Sequence, residues 1–177
     1  QGVLAHLTTG DPLVPETFAG PLVNQAALDR VTGVIDKAKA DKAGRLVLGG
    51  NRGAGELEGG YFVQPAIFVD VDPESSLAQN EVFGPVLSII PFDTEEEAIE
   101  LANNTTYGLA TSVWTENLGR AHRMAEAIEV GLCWINSWFL RDLRTPFGGA
   151  KGSGIGREGG VHSLEFYTEL RNVCVKL

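Results

Sequence analysis

Val86-Leu87-Ser88-Ile89-Ile90-Pro91-Phe92 is followed at once by Thr94-Glu95-Glu96-Glu97-Ala98-Ile99-Glu100-Leu101-Ala102, and this pair of stretches decides the fold class. The first is a short aliphatic run closed by proline, which reads as a strand. The second opens on Thr94 with Glu97 three positions on, a capping box, and then carries Ala98, Leu101 and Ala102 along one helical face. The alternation continues downstream. Residues 109–114 read as a strand, 118–130 as a helix ended by Gly131, and 132–136 as a strand again. Strands alternating with helices of this length predict an α/β fold on a mostly parallel open sheet.

Upstream, residues 11–21 are loop-like, broken by Pro12, Pro15 and Pro21. An amphipathic helix follows, with Leu28, Val31, Ile35 and Ala38 on one face and Asp29, Arg30, Asp36 and Lys37 mostly on the other. Arg45-Leu46-Val47-Leu48 reads as a short buried strand stopped by Gly49-Gly50, residues 51–60 as a glycine-rich loop, and 61–71 as extended chain with Pro65 at an edge or bulge. The last run, 166–177, reads as extended, with Val173, Val175 and Leu177 on one face and Cys174 and Lys176 on the other. A terminal strand of this kind must pair with something or become an aggregation hazard.

Charge and composition exclude several classes. The net charge of −9 argues against nucleic acid, whose phosphates need clustered Lys and Arg. No apolar run approaches the roughly 20 residues that span a bilayer, and the opening residues do not read as a secretory signal, so no membrane and a cytoplasmic setting are expected. Cys133 and Cys174 lie too far apart in sequence for a disulfide framework or a zinc pattern, and His6, His122 and His162 lack ligand spacing; no metal is expected. The Asn-x-Thr sequons at Asn103 and Asn104 read as chance matches. The chain opens on Gln1 rather than methionine, which suggests a piece cut from something longer.

Three stretches carry candidate chemistry, each beside a plainer reading. Glu81-Val82-Phe83-Gly84-Pro85 sets an acid and an aromatic ahead of a turn into a strand. A carboxylate can accept both hydroxyls of a ribose and a ring can pack beside a nicotinamide; the plainer reading is an exposed Glu and a core Phe. In 146–160, Gly154, Gly156 and Gly159 fit G-x-G-x-x-G, but no strand leads into them, so close backbone approaches and positive φ are the better reading. In 134–144, three aromatics and Arg141 and Arg144 can line a channel for a carboxylate-bearing substrate, or be core rings with arginines paired to Asp142. Cys133, flanked by Leu132 and Trp134, reads as a packing residue rather than a nucleophile.

Taken in order, Gly20-Pro21-Leu22-Val23-Asn24, Gly60-Tyr61-Phe62-Val63-Gln64-Pro65, Glu81-Val82-Phe83-Gly84-Pro85, Trp134-Ile135-Asn136, Pro146-Phe147-Gly148-Gly149 and Ser153-Gly154-Ile155-Gly156-Arg157-Glu158 resemble the aldehyde dehydrogenase superfamily over nearly the whole chain. The resemblance implies that residues 1–163 are the C-terminal part of a catalytic domain and 164–177 an oligomerisation strand that pairs with like subunits, without the N-terminal cofactor domain. It implies NAD as cofactor (NADP not excluded), with Glu81 at the nicotinamide ribose and Phe83 against the nicotinamide end. Phe147, Trp138 and the rest of 137–144 would line the aldehyde channel. The family's cysteine nucleophile and glutamate base precede Gln1 in its order, so no catalytic residue is expected here and the chain alone is expected to be inactive. Residues 136–147 look most like the branch that oxidises 2-hydroxymuconic semialdehyde, an aldehyde whose far end is a carboxylate. Arg141 would anchor that carboxylate, with Arg144 the second candidate; a betaine- or benzaldehyde-type enzyme is the alternative.

Overall fold

Asn24 starts the first helix. In the structure, a computed structural model that describes residues 6–177, its side chain accepts the Ala27 N–H at 2.9 Å and caps α1, Gln25–Ala40. The face that α1 buries is Leu28, Val31, Ile35 and Ala38, the four residues picked out by the periodicity. The described residues fall into two compact units that divide between Pro91 and Phe92.

In the first unit α1 covers a sheet of order β1-β2-β3, formed by Arg45–Leu48, Ala66–Val69 and Val86–Ser88. Phe68, Val63, Ala66 and Val71 join the buried face of α1 in one core, which Leu77 of the short helix α2, Ser76–Gln79, completes. β2 and β3 run parallel, Ala66 opposite Val86 and Ile67 opposite Leu87. β1 is antiparallel to β2. The connections explain the difference: β2 reaches β3 through a crossover that includes α2, whereas β1 returns to β2 through the glycine-rich loop, and a loop suffices only for an antiparallel return. β1 is also an edge strand whose residues alternate between exposed and half-buried, not the buried strand that Leu46-Val47-Leu48 suggests. Gly49 ends it at φ +61°, where a Cβ would fall 1.9 Å from the Pro65 carbonyl oxygen, so only glycine fits.

The second unit contains the expected alternation: α3, Glu95–Asn103; β4, Ala110–Val113; α4, Leu118–Ala127; β5, Leu132–Ile135. β4 and β5 are parallel, with Ala110 opposite Leu132 and Val113 opposite Ile135. The Thr94 hydroxyl caps α3 by accepting the Glu97 N–H at 3.1 Å, and the Glu97 carboxylate accepts the Asp93 N–H at 2.7 Å. α4 stops at Ala127, before Gly131. Gly131 serves a close approach instead, since a Cβ there would lie 1.6 Å from the Gly148 carbonyl oxygen.

The end of the chain departs from the sequence reading. Phe166 and Tyr167 are not extended but close a further helix, α5, Gly160–Tyr167. Gly159 at φ +99° precedes it and donates its N–H to the Ser163 hydroxyl at 2.7 Å, a start that bears no ordinary cap residue and so left no signal. Residues 168–177 lie outside any helix or strand, with Val173, Val175 and Leu177 all exposed. Among the described residues no helix is long and apolar enough to cross a membrane.

Glu95 ties α3 to α4. Its carboxylate accepts from Arg123 Nε at 2.6 Å and Nη2 at 2.8 Å, and from Arg120 Nε at 3.1 Å. These bonds, Arg123 foremost, hold the carboxyl at about 2 against an ordinary 4.5. Because the folded value is depressed, whatever stability the cluster contributes is fully present above the unfolded value and is lost as pH falls through about 2. A side-chain carbon NMR titration of Glu95 is therefore expected to show a midpoint near 2, and a midpoint near 4.5 would remove the cluster from the account.

Candidate functional site

In the first unit the loop between α2 and β3 is fastened down at its centre. The Arg30 guanidinium, reaching from α1, donates to the carbonyl oxygens of Val82 and Phe83, the latter at 3.2 Å. Gly84 lies directly on the helix, where a Cβ would sit 2.6 Å from Val31 Cγ2. Between these two anchors Phe83 takes φ +49°, a conformation that a side chain adopts at a cost, and its ring stands 77 % exposed. Phe83 is not a core residue, against the half of the plainer reading that made it one. Glu81 is exposed two residues before it. The loop enters the amino end of β3, whereas open α/β sheets gather ligands at carboxyl ends. Position at a strand end therefore gives this motif no support, and its distinguishing feature is the pinned and strained aromatic. Arg30 was read from sequence only as a residue of the solvent face of α1, and its partner lies 52 positions away, beyond any local pattern.

In the second unit the chain turns sharply out of β5. Asn136, at φ +51°, accepts the Thr115 N–H at 2.8 Å and donates back to the Thr115 carbonyl at 2.8 Å. Trp134 is buried and donates its indole N–H to the Leu140 carbonyl at 2.8 Å, folding 135–140 back over itself. Trp138 packs edge-on against Trp134 with ring centroids 5.5 Å apart, yet is 71 % exposed. Of the aromatics that could be either core or channel wall, Trp134 is core, while Trp138 and Phe139 are exposed.

The two arginines separate. Arg144 pairs with Asp142, donating from Nε at 2.9 Å and from Nη2 at 2.6 Å, and its side chain is 88 % exposed. This pair holds the Asp142 carboxyl below the usual carboxylate range. The Arg141 side chain makes no ion pair with Asp142. Its Nη2 donates to Glu158 Oε1 at 2.8 Å and its guanidinium carbon lies 4.0 Å from the centre of the Phe147 ring. Arg141, Leu143, Thr145, Phe147, Glu158 and Ser163 line a cleft of about 260 Å³. Glu158, to which the sequence motif assigns no role, is brought to Arg141 because the backbones of Phe147 and Glu158 exchange both N–H···O bonds, at 2.7 and 2.8 Å.

The glycine loop between these residues lacks the strand that leads into a dinucleotide fingerprint. Gly154, Gly156 and Gly159 all have positive φ and no strand precedes them, although α5 does follow. Arg157 Nη1 donates to the carbonyl oxygens of Gly149 and Gly156, each at 2.7 Å, and ties the two ends of the loop together. Cys133 lies within β5, half-buried, and burial pushes its thiol up, away from the thiolate a nucleophile requires. Among the described residues no group of three or more His, Cys, Asp or Glu side chains is placed to hold a metal ion.

Residues 2–173 match the family model described as Aldehyde dehydrogenase family. The chain belongs to the aldehyde dehydrogenase family. It is 54 % identical over 173 residues to a 2-hydroxymuconic semialdehyde dehydrogenase of Pseudomonas putida, covering 97 % of this chain and 35 % of that protein. A betaine aldehyde dehydrogenase of Cereibacter sphaeroides is 49 % identical over 166 residues, 94 % of this chain and 34 % of that one. Among solved structures, the indole-3-acetaldehyde dehydrogenase AldA of P. syringae, a C302A mutant in complex with NAD+ and IAA, superposes with a TM-score of 0.91 at 44 % identity, over 99 % of this chain and 35 % of that one. The chain thus spans about a third of the length of the relatives it matches.

Proposed function

We propose that this chain is part of an NAD-dependent dehydrogenase that oxidises a semialdehyde bearing a distal carboxylate, of the 2-hydroxymuconic kind, to the acid. The observation that carries the cofactor assignment is the pinned loop: Arg30 and Gly84 fix Val82 to Gly84 on α1 and leave the Phe83 ring exposed in a strained conformation. A ring held outward at a conformational cost fits a flat partner better than it fits solvent. In this reading Phe83 packs on the nicotinamide end and Glu81 accepts the ribose hydroxyls beside it. NAD, when bound, supplies the two-electron acceptor. What the chain's own residues supply is orientation. Phe83 and Glu81 fix the face the cofactor presents, Trp138 and Phe147 give the channel its walls, and Arg141 holds the far end of the aldehyde.

The substrate class rests on the kinship to the Pseudomonas putida enzyme together with Arg141, whose Nε and Nη1 donors make no further hydrogen bond among the described residues. Arg144, committed to Asp142 and largely in solvent, is the weaker candidate. The betaine-type relatives, at only slightly lower identity, keep a different substrate as the second reading. In our reading the thiolate and the general base come from elsewhere in the full-length enzyme, since Cys133 is half-buried with a raised pKa; the chain alone is then inactive. Residues 168–177, with Val173, Val175 and Leu177 exposed, are the segment we assign to pairing with a like subunit.

In the full-length enzyme, Glu81→Gln is expected to raise the dissociation constant for NAD or slow turnover by about tenfold, with little change in thermal stability. A charge-assisted hydrogen bond is worth about 1.5 kcal/mol or more, and the amide keeps the shape while losing the charge. Fluorescence titration with NAD and single-turnover kinetics read both. Wild-type values in both would leave Glu81 without a role.

A further inference from the structure

The segment that leaves β5 is tied back to the two strands of its own unit at Asn136, Ser137 and Leu140. The Asn136 carboxamide accepts the Thr115 N–H and donates to the Thr115 carbonyl, both at 2.8 Å. One residue on, the Ser137 carbonyl accepts from the Ser112 hydroxyl of β4 at 2.6 Å. The Leu140 carbonyl accepts from the Trp134 indole of β5 at 2.8 Å. The Asn136 backbone still belongs to the ladder, since its N–H donates to the Val113 carbonyl at 2.8 Å. Residue 136 is therefore where the sheet ends and the loop begins, and both halves of its side chain are spent on the turn after β4. Its φ of +51° lies in the left-handed region, which asparagine enters at less cost than most residues. The rings that follow, Trp138 and Phe139, are both exposed, so little buried area holds the loop and the polar ties set its direction.

We propose that Asn136 is a positioning residue for the aldehyde channel: by clamping the start of 137–144 to the turn after β4, it fixes where Trp138 and Arg141 stand and so sets how well long aldehydes bind. The inference rests on the reading of 137–144 as channel wall. Asn136 touches no reacting atom in that reading and acts through the side chains that follow it. A carboxamide that bonds both the N–H and the carbonyl of one residue fixes an orientation as well as a distance, which a single bond does not. A wall fixed in this way is ready before the substrate arrives, and binding does not have to order it. Asn136 is itself exposed, so water can take up each bond when the side chain is removed. The loss then falls on the definition of the wall more than on the stability of the unit. A long aldehyde that reaches Arg141 depends on the whole wall, whereas a two-carbon aldehyde makes least use of it.

The test is made in the full-length enzyme, where KM and kcat are measured for a carboxylate-bearing semialdehyde and for acetaldehyde. Asn136→Gly takes up a positive φ freely and removes both bonds to Thr115, so it separates the clamp from the backbone conformation. It is expected to raise KM for the semialdehyde roughly fivefold and to leave both constants for acetaldehyde within about twofold. Asn136→Asp keeps the shape, the tolerance for φ and the bond from the Thr115 N–H, but sets an oxygen against the Thr115 carbonyl. It should raise the semialdehyde KM at least about twofold, and it carries the test alone if Asn136→Gly does not fold. A wild-type KM in whichever variant folds overturns the proposal, because residue 136 then serves only its backbone conformation. An equal rise in both KM values, or an equal fall in both kcat values, also overturns it, as the mark of a general structural role. The channel reading fails separately, and the proposal with it, if Trp138→Ala leaves the semialdehyde KM unchanged. If Trp138→Ala raises that KM and Asn136→Gly does not, the channel stands and the clamp is wrong.

Discussion

Phe68→Ala is expected to destabilise the first unit by about 3–5 kcal/mol, read as a shift in the urea midpoint of that unit's transition. Phe68 is the largest of the fully buried side chains and stands in β2, the central strand of its sheet, among Leu28, Val31 and Ile35 of α1. Removing the ring forfeits its transfer from water and leaves a void that neighbours on a helix and two strands cannot all move to fill. The strand itself survives the change, since Phe68 also accepts the Ile89 N–H through its backbone carbonyl at 2.9 Å. Leu87→Ala is the control. Leu87 sits on the adjacent strand in register with Ile67 but is 53 % exposed, so its loss should stay below about 1 kcal/mol. Equal losses at the two positions would mean that α1 does not cover the face of the sheet described above.

The same core shows how far the sequence could be read. Where a single periodicity governs a segment, its partners are legible: Leu28, Val31, Ile35 and Ala38 had to share a face, and Thr94 with Glu97 had to open a helix, because both signals are complete within one or two turns. Where a short apolar run has no period, burial is not legible. Arg45-Leu46-Val47-Leu48 carries the letters of a buried strand but lies at an edge, and nothing within four residues records how many neighbours a strand will have. The terminal run failed for a related reason. Val173, Val175 and Leu177 alternate in sequence but lie outside any strand, and Phe166 and Tyr167 belong to a helix begun by glycines rather than by a cap residue.

The candidate site divides in the same way. The motif at Glu81 to Pro85 leaves Phe83 open between core and exposed positions, and what holds the loop, Arg30, lies 52 residues from Val82 and shows in the sequence only as a charge on a helix face. The alternative of arginines paired to Asp142 was right for Arg144 and wrong for Arg141, since Asp142 is close enough in sequence for Arg144 to fold back on it. The true partner of Arg141 is Glu158, across a backbone bridge that no spacing rule announces. Ion pairs between loops depend on where the intervening chain turns, and between Arg141 and Glu158 the turning passes through the positive-φ residues Lys151, Gly154 and Gly156, whose combined path is not a local property.

Arg141→Met, made in the full-length enzyme, is expected to cut kcat/KM for a carboxylate-bearing semialdehyde relative to a neutral aromatic aldehyde by some thirtyfold. Methionine keeps much of the apolar stem over Phe147 and removes the fork. Losing a charge-assisted pair at a desolvated site costs roughly 2–4 kcal/mol. Arg141 is about a third exposed and has one arm on Glu158, so the lower end, about 2 kcal/mol, is the expectation. Arg144→Met makes the same charge change three positions away. Its guanidinium is largely in solvent and held by Asp142, so it should alter the ratio less than threefold. The comparison is sharper for the released anions. Arg141→Met leaves Glu158 unpaired in a half-open cleft, where the charge that repels a substrate carboxylate is no longer balanced, so part of the thirtyfold loss should return when Glu158→Gln is added only if that repulsion, rather than the missing fork, dominates. A larger loss from Arg144→Met would move the anchor to Arg144. Equal losses on both aldehydes would reduce Arg141 to the residue that, with Glu158 and the Phe147 ring, merely holds the glycine loop closed.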